Sequence, residues 1–467
     1  MSVTALKGEK PSGTLPPEWE VGPGSLATGR YVDEAFLKLE FEKLWPTVWQ
    51  VACRVDAIPN ENDYTVYKIG DREVIVLRAA NDEIKAYHNV CPHRGTALAD
   101  GQGTYANGKI ICPFHGWRWD TQGENEYVLE RQEFKKGKLE QCDVALKTVH
   151  CRVFEGMVFI NFAENPESFD AFIAPIRELM EGLVIGEMRH YWWKTIDVPA
   201  NWKVAQEAFF EGYHVPATHP QLEPDGADQI YGADPVDPEH EFNHHNVSYQ
   251  SFERGHGRFY AGKSSPMKGN MRQFSKVDPV DAMADRLQLL ADGMDAQVLH
   301  ADVDLVRGLK GQEIPEDSNL GAEYVKALYT DAAARNRPMA APIPEHLEMW
   351  GGELFMFPNI CMLFSGGNMM MYRSLPHPTD PNRCTFEIFS TTTVGKDEQT
   401  ARAEVIEVTD MDDPEQVYLI PRQDLGNIPR IQRGLKTRGV KRVWLASYNE
   451  QIILNMHRQL DEYLTHE

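Results

Sequence analysis

Long apolar runs are absent from this chain. The longest, at residues 74–77 and 360–364, fall far short of the roughly 18 to 20 residues a membrane helix requires, and the N-terminus shows no apolar export segment. Basic residues are scarce. Lys and Arg number 47 against 70 Asp and Glu, a formal net charge of -23 that would repel a phosphate backbone or an anionic bilayer. Neither nucleic acid nor membrane is an expected partner, and a soluble, cytoplasmic protein is expected. Cysteine is sparse and odd in number: Cys53, Cys91, Cys112, Cys142, Cys151, Cys361 and Cys384 argue for thiols or metal ligands over a disulfide framework. The chain also lacks a repeat of fixed period, a low-complexity tract and a Gly-rich dinucleotide fingerprint.

What is present is globular composition, 42% hydrophobic and 25% charged over 467 residues, enough for two to four domains. Residues 1–44 read as an N-terminal arm, extended over its Gly- and Pro-rich first part and packed on the larger domain. Residues 45–165 alternate in short strands, as in Tyr64-Thr-Val-Tyr-Lys-Ile, and predict an all-β module. Residues 166–467 predict a larger α+β domain. Helix is expected at 169–183, strand at 190–198, helix from Trp202 to about Tyr213, a helical insertion at about 275–345, strands over 352–393, and closing helices at 422–435 and 448–464.

Two constellations carry chemistry. Cys91-Pro92-His93-Arg94-Gly95 and Cys112-Pro113-Phe114-His115-Gly116-Trp117 form a C-x-H and a C-x-x-H pair with 18 residues between His93 and Cys112. Thiolate and imidazole suit zinc or an iron–sulfur cluster, so ligand type alone does not decide. Pro after each Cys and Gly after each His favour tight loops whose N–H groups can turn toward bridging sulfides, inside a β module rather than before a finger helix.

These residues resemble the Rieske [2Fe–2S] motif. The resemblance implies that Cys91 and Cys112 bind one iron and His93 and His115 the other. Two thiolates leave an oxidised core neutral where four would leave it negative, which raises the reduction potential. Trp117 is expected to shield the cluster, and Arg94 and Arg118 to offer a positive edge to an acidic electron donor.

The second constellation lies in 201–219. On a continuous helix Glu207, Glu211 and His214 stand at i, i+4 and i+7, on one face, with Pro216 turning the chain so that His219 can converge on His214. Two carboxylates one turn apart repel, so a raised pKa is expected for one of them.

The pattern E-x-x-H-x-x-x-x-H after Asn201-Trp202-Lys203 resembles the mononuclear iron site of Rieske non-heme iron oxygenases, the large (alpha) subunits of aromatic ring-hydroxylating dioxygenases and their demethylase relatives. The resemblance implies a helix-grip (START-like) catalytic domain of antiparallel sheet and helices. It also implies a triad of His214, His219 and a later carboxylate, for which Asp424 is chosen over Asp410, Asp412 and Asp413. Glu211, where the family usually has Asp, would link His115 of a neighbouring subunit to His214. Ala208, Gly212 and Val215, slim neighbours of the ligands, and Glu207, Phe355, Phe357 and Phe364 are expected to line a substrate pocket. The tract His240, His244 and His245 is expected to face solvent.

By the same resemblance, NADH or NADPH electrons would arrive through a separate reductase, with or without a ferredoxin. They would pass singly from cluster to Fe(II), which would use O2 to hydroxylate an apolar aromatic substrate, most simply by cis-dihydroxylation in aromatic hydrocarbon catabolism. A homotrimer or an α3β3 hexamer is implied. The alternatives are a monooxygenase or O- or N-demethylase and, remotely, a non-catalytic Rieske electron carrier.

Overall fold

The structure is a computed structural model that describes residues 15–223, 230, 247–261, 278–396, 398, 401–437 and 439–466. The tract His240, His244 and His245 lies outside the described residues.

The N-terminal module is built from three small antiparallel sheets. Gln50–Arg54, His150–Phe154 and Met157–Asn161 form the first; Asp63–Ile69, Arg72–Arg78, Ile84–His88 and Gln102–Thr104 the second; Ile110–Ile111, Arg118–Trp119 and Asn125–Tyr127 the third. Alternate residues of Asp63–Ile69 are buried, as the period-2 pattern requires of a strand with one wet face.

The larger unit is an eight-stranded sheet in the order Val247–Ser251, Gly257–Ala261, Glu353–Met356, Ile360–Ser365, Asn368–Pro376, Cys384–Thr393, Met188–Val198, Val405–Val408, antiparallel except for the last pair. Helices Pro279–Met294, His300–Arg307 and Leu320–Ala334 form the insertion around their own apolar core. Nearly every residue of Asn368–Pro376 is buried because both faces of the sheet are covered. One face bears the N-terminal module: Arg373 donates through Nη1 to Val51 O (2.8 Å) and Ala52 O (2.9 Å), while its Nε meets Glu387 Oε2 at 2.5 Å. Across the same seam Arg54 donates to the carbonyls of Ile185 and Met188, and Asp56 accepts from His190. The other face carries the segment 202–219 and the C-terminal helices.

Residues 1–14 of the arm, the first half of its expected extended stretch, lie outside the described residues, and from residue 15 the arm is not extended throughout. It holds short helical turns at Pro17–Trp19, Gly29–Val32 and Glu34–Leu39, and its strand Ser25–Ala27 pairs with Arg442–Trp444. Its Glu40 is buried against the start of the site-bearing helix, accepting from Lys203 Nζ at 2.6 Å and Trp202 Nε1 at 3.2 Å. Removing Glu40 or Lys203 alone would strand the other's buried charge, at a cost of about 3–5 kcal/mol.

Candidate metal centres

The cluster loops repeat one another. In each, the Cys N–H donates to a residue closing the loop, Thr96 O or Trp117 O, at 2.8 Å, and the Gly N–H returns to the Cys carbonyl at 3.0 Å. Gly95 and Gly116 hold φ of 78° and 70°, a region that glycine enters without a Cβ penalty. The Cys91 and Cys112 thiols lie within hydrogen-bonding reach, and burial pushes Cys91 up to about 11. His93 and His115 face each other with their Nδ1 atoms 3.1 Å apart, and buried Trp117 lies flat on His93 at 4.8 Å and 9°.

Among the described residues, no three of these four donors fall within 4.8 Å of one another, as one tetrahedral zinc ion would require. They come as a sulfur pair and a nitrogen pair, which fits two metals side by side. A cationic core would also offset the cost of two buried thiolates.

The second centre is assembled from distant segments. Asn201 caps the helix Trp202–Glu207 by accepting from Lys203 N–H at 3.0 Å, and the helix ends six residues later, short of the expected Tyr213. The reason lies in Phe209 and Phe210, which both drop onto the sheet, on Tyr372 and Phe355 at 3.9 Å each. Neighbouring rings cannot point the same way on a helix advancing about 100° per residue. Pro216 then opens a second short helix, Val215–Thr218, flanked by His214 and His219.

Both imidazoles use Nδ1 outward. His214 Nδ1 meets Glu211 Oε1 at 2.9 Å, and Glu211 Oε2 accepts the His214 backbone N–H at 2.9 Å. His219 Nδ1 meets Gln423 Oε1 at 2.8 Å, an oxygen that also accepts from Gln221. With Nδ1–H donated, each Nε2 presents a lone pair. Both lone pairs converge on Asp424 Oδ1, at 3.5 Å from His214 and 3.0 Å from His219, on the helix Leu419–Leu435. The three donors form the group of described residues whose ligand atoms all lie within 4.8 Å. Two lone pairs and a carboxylate oxygen aimed at one point repel unless a cation stands among them. Burial disfavours an imidazolium here, yet the Glu211, Asp424 and Glu353 carboxylates outweigh it and pull His214 up to about 9. The residues thus fit a 2-His-1-carboxylate metal site.

The expected shared face breaks down at Glu207, which belongs to neither the triad nor its pocket. It accepts from Tyr31 Oη at 3.0 Å and meets His457 Nε2 at 2.7 Å. Because Arg30 Nε donates to His457 Nδ1, the proton of that imidazole sits on Nε2, facing Glu207. Glu207 is raised to about 8, by burial rather than by Glu211.

Pocket expectations divide. Phe355 shares the face of Cys361 and Tyr372, toward the triad segment. Phe364 alternates to the opposite face, away from the triad, and Phe357 lies parallel to Tyr463 at 5.6 Å. Gly212 N–H donates to Tyr249 Oη at 3.1 Å, tying the bend above the sheet, between partly buried Ala208 and Val215. Three residues went unread in the sequence: Gln423, Glu353 and His457. Only Gln423, next to Asp424, had a neighbour to flag it.

Comparison with known families agrees with this geometry. Residues 48–143 match the Rieske [2Fe-2S] domain, and residues 185–466, more than half of the chain, match the ring hydroxylating alpha subunit (catalytic domain). The chain belongs to the ring-hydroxylating alpha-subunit family, with a Rieske domain joined to a non-heme iron oxygenase catalytic domain. It is similar to the glycine betaine monooxygenase oxygenase subunit of Pseudomonas aeruginosa, 30% identical over 199 residues, 42% of this chain and 45% of the relative. It is also similar to the biphenyl 2,3-dioxygenase subunit alpha of Rhodococcus jostii, 27% identical over 51% of this chain and 52% of the relative. The chain thus spans about half the length of the curated relatives it matches. In fold it resembles a quaternary ammonium Rieske monooxygenase in complex with L-carnitine, at TM-score 0.61 and 16% identity over 97% of this chain and 100% of that one. Naphthalene 1,2-dioxygenase with indole bound gives TM-score 0.61 and 18% identity over 95% and 92%. No helix among the described residues is long and apolar enough to cross a membrane.

Proposed function

We propose that the chain is the oxygenase component of a multicomponent system that inserts oxygen from O2 into a small organic substrate. The observation that carries this reading is the convergence of two imidazole Nε2 atoms, each with Nδ1 committed elsewhere, on the Asp424 carboxylate. His214, His219 and Asp424 would hold the mononuclear iron, and Cys91, His93, Cys112 and His115 the cluster, in domains divided at 1–44, 45–165 and 166–467. When bound, the cluster supplies single electrons and the iron supplies the place where O2 is activated.

The chain's own residues position and protect. Glu211 and Gln423 keep the Nδ1 protons of His214 and His219, so neither ring can turn its Nε2 away. Phe209, Phe210 and Tyr372, all buried, exclude water from one side. Glu211, with both oxygens engaged by His214, would be the link from that imidazole to His115 of a second copy in a trimer or an α3β3 assembly. Arg94 lies over exposed Phe114 at the cluster tip and gives an acidic reductase or ferredoxin a basic contact, whereas Arg118 is paired with Glu126.

Insertion of one oxygen atom is the outcome the comparisons favour, since the relative at 30% identity is named a monooxygenase. A second reading, dihydroxylation of an aromatic ring, is supported by the biphenyl 2,3-dioxygenase relative. Product mass spectrometry under labelled dioxygen, with a surrogate reductase and a panel of aromatics, aryl acids, methyl ethers and amines, tests both. One label atom per product, or formaldehyde from a lost methyl, is expected; two atoms establish the second reading. Absence of label from every product of the iron-loaded protein overturns the oxygenase reading in favour of an electron carrier.

A further inference from the structure

The seam between the two modules holds a cleft of about 460 Å³ that neither metal centre uses. Its walls come from both sides: Arg78, Arg152, Val153 and Gly156 from the N-terminal module, Gly186 and Arg189 from the larger domain. The cleft lies where the N-terminal module covers the sheet, whereas the triad segment covers the other face. It is remote from the cluster as well. Ile84 pairs with Arg78 at the cleft end of its strand, His88 pairs with Val74 at the far end, and the cluster loop begins only beyond His88. That strand alone puts about 13 Å between them. A molecule in the cleft would therefore meet neither the triad nor the cluster.

The three arginines are not equivalent. Arg78 is saturated, donating through Nε to Ile58 O at 2.7 Å, through Nη2 to Val55 O at 3.0 Å and through Nη1 to Asp82. Arg152 and Arg189 are tethered by Nη1 alone, the first to Cys151 O at 2.9 Å, the second to Met188 O at 2.9 Å and Gly186 O at 3.1 Å. Each keeps its Nε–Nη2 edge, the fork that grips two oxygens at once. Among the described residues, nothing pairs with either edge and neither arginine meets a carboxylate, although acids outnumber bases by 70 to 47 in the chain.

A further guanidinium lies beneath the floor. A Cβ on Gly156 would stand 3.2 Å from Arg54 Nη2 and 3.1 Å from Gly186 Cα, so glycine lets the floor sit directly on Arg54. Arg54 Nη1 is buried and has no hydrogen-bond partner. Against the arginines of the walls stands one lining carboxylate, Asp82, already paired with Arg78, and nearby Glu155 is committed to Gly186 N–H at 3.1 Å. Two positive charges remain, and guanidinium charge does not titrate in the physiological range. Ile84 and half-exposed Val153 add apolar wall for carbon.

We propose that this cleft binds a small organic dianion, a dicarboxylate or a phosphate monoester, gripped by the free forks of Arg152 and Arg189. Because those arginines belong to different modules, the ligand acts as an effector that holds the seam closed. It is not the substrate, and the site stands whether or not the oxygenase reading does.

The test is calorimetric titration of the full-length, metal-loaded protein at about 0.15 M salt, where loose ion pairing is screened. The probes are succinate with its monoanionic partner butyrate, phenyl phosphate with its neutral partner phenol, and inorganic phosphate. One organic dianion is expected to bind with 1:1 stoichiometry, at least about tenfold more tightly than its partner and than inorganic phosphate; which of the two does so identifies the oxyanion group. Arg152→Gln and Arg189→Gln should each weaken that binding about tenfold or more, Arg152→Lys should retain part of it, and Arg307→Gln, on the helical insertion, should leave it unchanged. Unaltered cluster spectra and melting curves of the free variants show that they are folded. Bound ligand should also raise the melting midpoint and slow hydrogen exchange in both walls, residues 150–156 and 185–190. No 1:1 binding by either dianion, equal binding of dianion and partner, or binding that survives in Arg152→Gln and Arg189→Gln overturns the site. Inorganic phosphate binding as tightly as the organic dianions reduces it to an adventitious ion only, and exchange slowed in one wall alone overturns the closing of the seam.

Discussion

The two metal-binding regions owe their order to different sources. All four cluster donors fall within residues 91–115, on two loops that repeat one hydrogen-bond pattern, and their geometry is set by local backbone. The triad draws its third donor from more than 200 residues beyond its second, and each imidazole is oriented by a side chain, Glu211 or Gln423. A locally specified site should tolerate damage elsewhere in the fold. A globally assembled one should register it.

The strongest attempt to break this comparison is Asp424→Ala. Iron content should fall from about three to about two atoms per chain, with turnover lost and the visible cluster spectrum intact. Metal analysis beside absorption spectra checks it, and loss of the cluster as well would show that the regions are not independent. A smaller effect is expected from Gln423→Leu, which leaves the donors in place and frees His219 to turn. Affinity for the triad metal should drop about 10- to 100-fold in chelator competition.

Gly116→Ala sharpens the other side. A Cβ there meets nothing within 4 Å, so its cost is the φ of 70° alone, about 1–2 kcal/mol, seen as a lower midpoint for cluster loss with triad iron unchanged.

The smallest effect concerns Glu207, behind the triad. Burial raises its carboxyl to about 8, so the folded chain holds that proton more tightly than the unfolded chain. Its stabilising contribution is full below about pH 4.5 and is lost as the pH rises through about 8. Glu207→Gln should therefore flatten the fall in melting temperature between about pH 4.5 and about pH 8, by about 2–4 °C, without moving the midpoint for cluster loss.

The same contrast explains what could be read from the chain alone. The Cys–His loops declare themselves because their spacing is their structure, and alternating strands and amphipathic helices were legible for the same local reason. His214, His219 and Asp424 were legible only through resemblance to a family. Treating 202–213 as one helix failed because tertiary contacts of Phe209 and Phe210 with the sheet override helical continuation, which also sent Glu207 to Tyr31 and His457. Glu353 was hidden in an apolar stretch, where no periodicity announces a lone acid. Phe364 was misplaced because a run buried on both faces conceals which residues share one.

That double burial has a practical consequence for anyone reshaping this protein. Along Asn368–Pro376, Met370 and Tyr372 look toward the triad, while Met369, Met371 and Arg373 look toward the seam with the N-terminal module. Randomising alternate codons, 370 and 372, would vary the sheet face toward the triad while leaving the weld between modules untouched. Shifting the same library by one position would sample the mechanical coupling of the two halves and leave the triad face as it is.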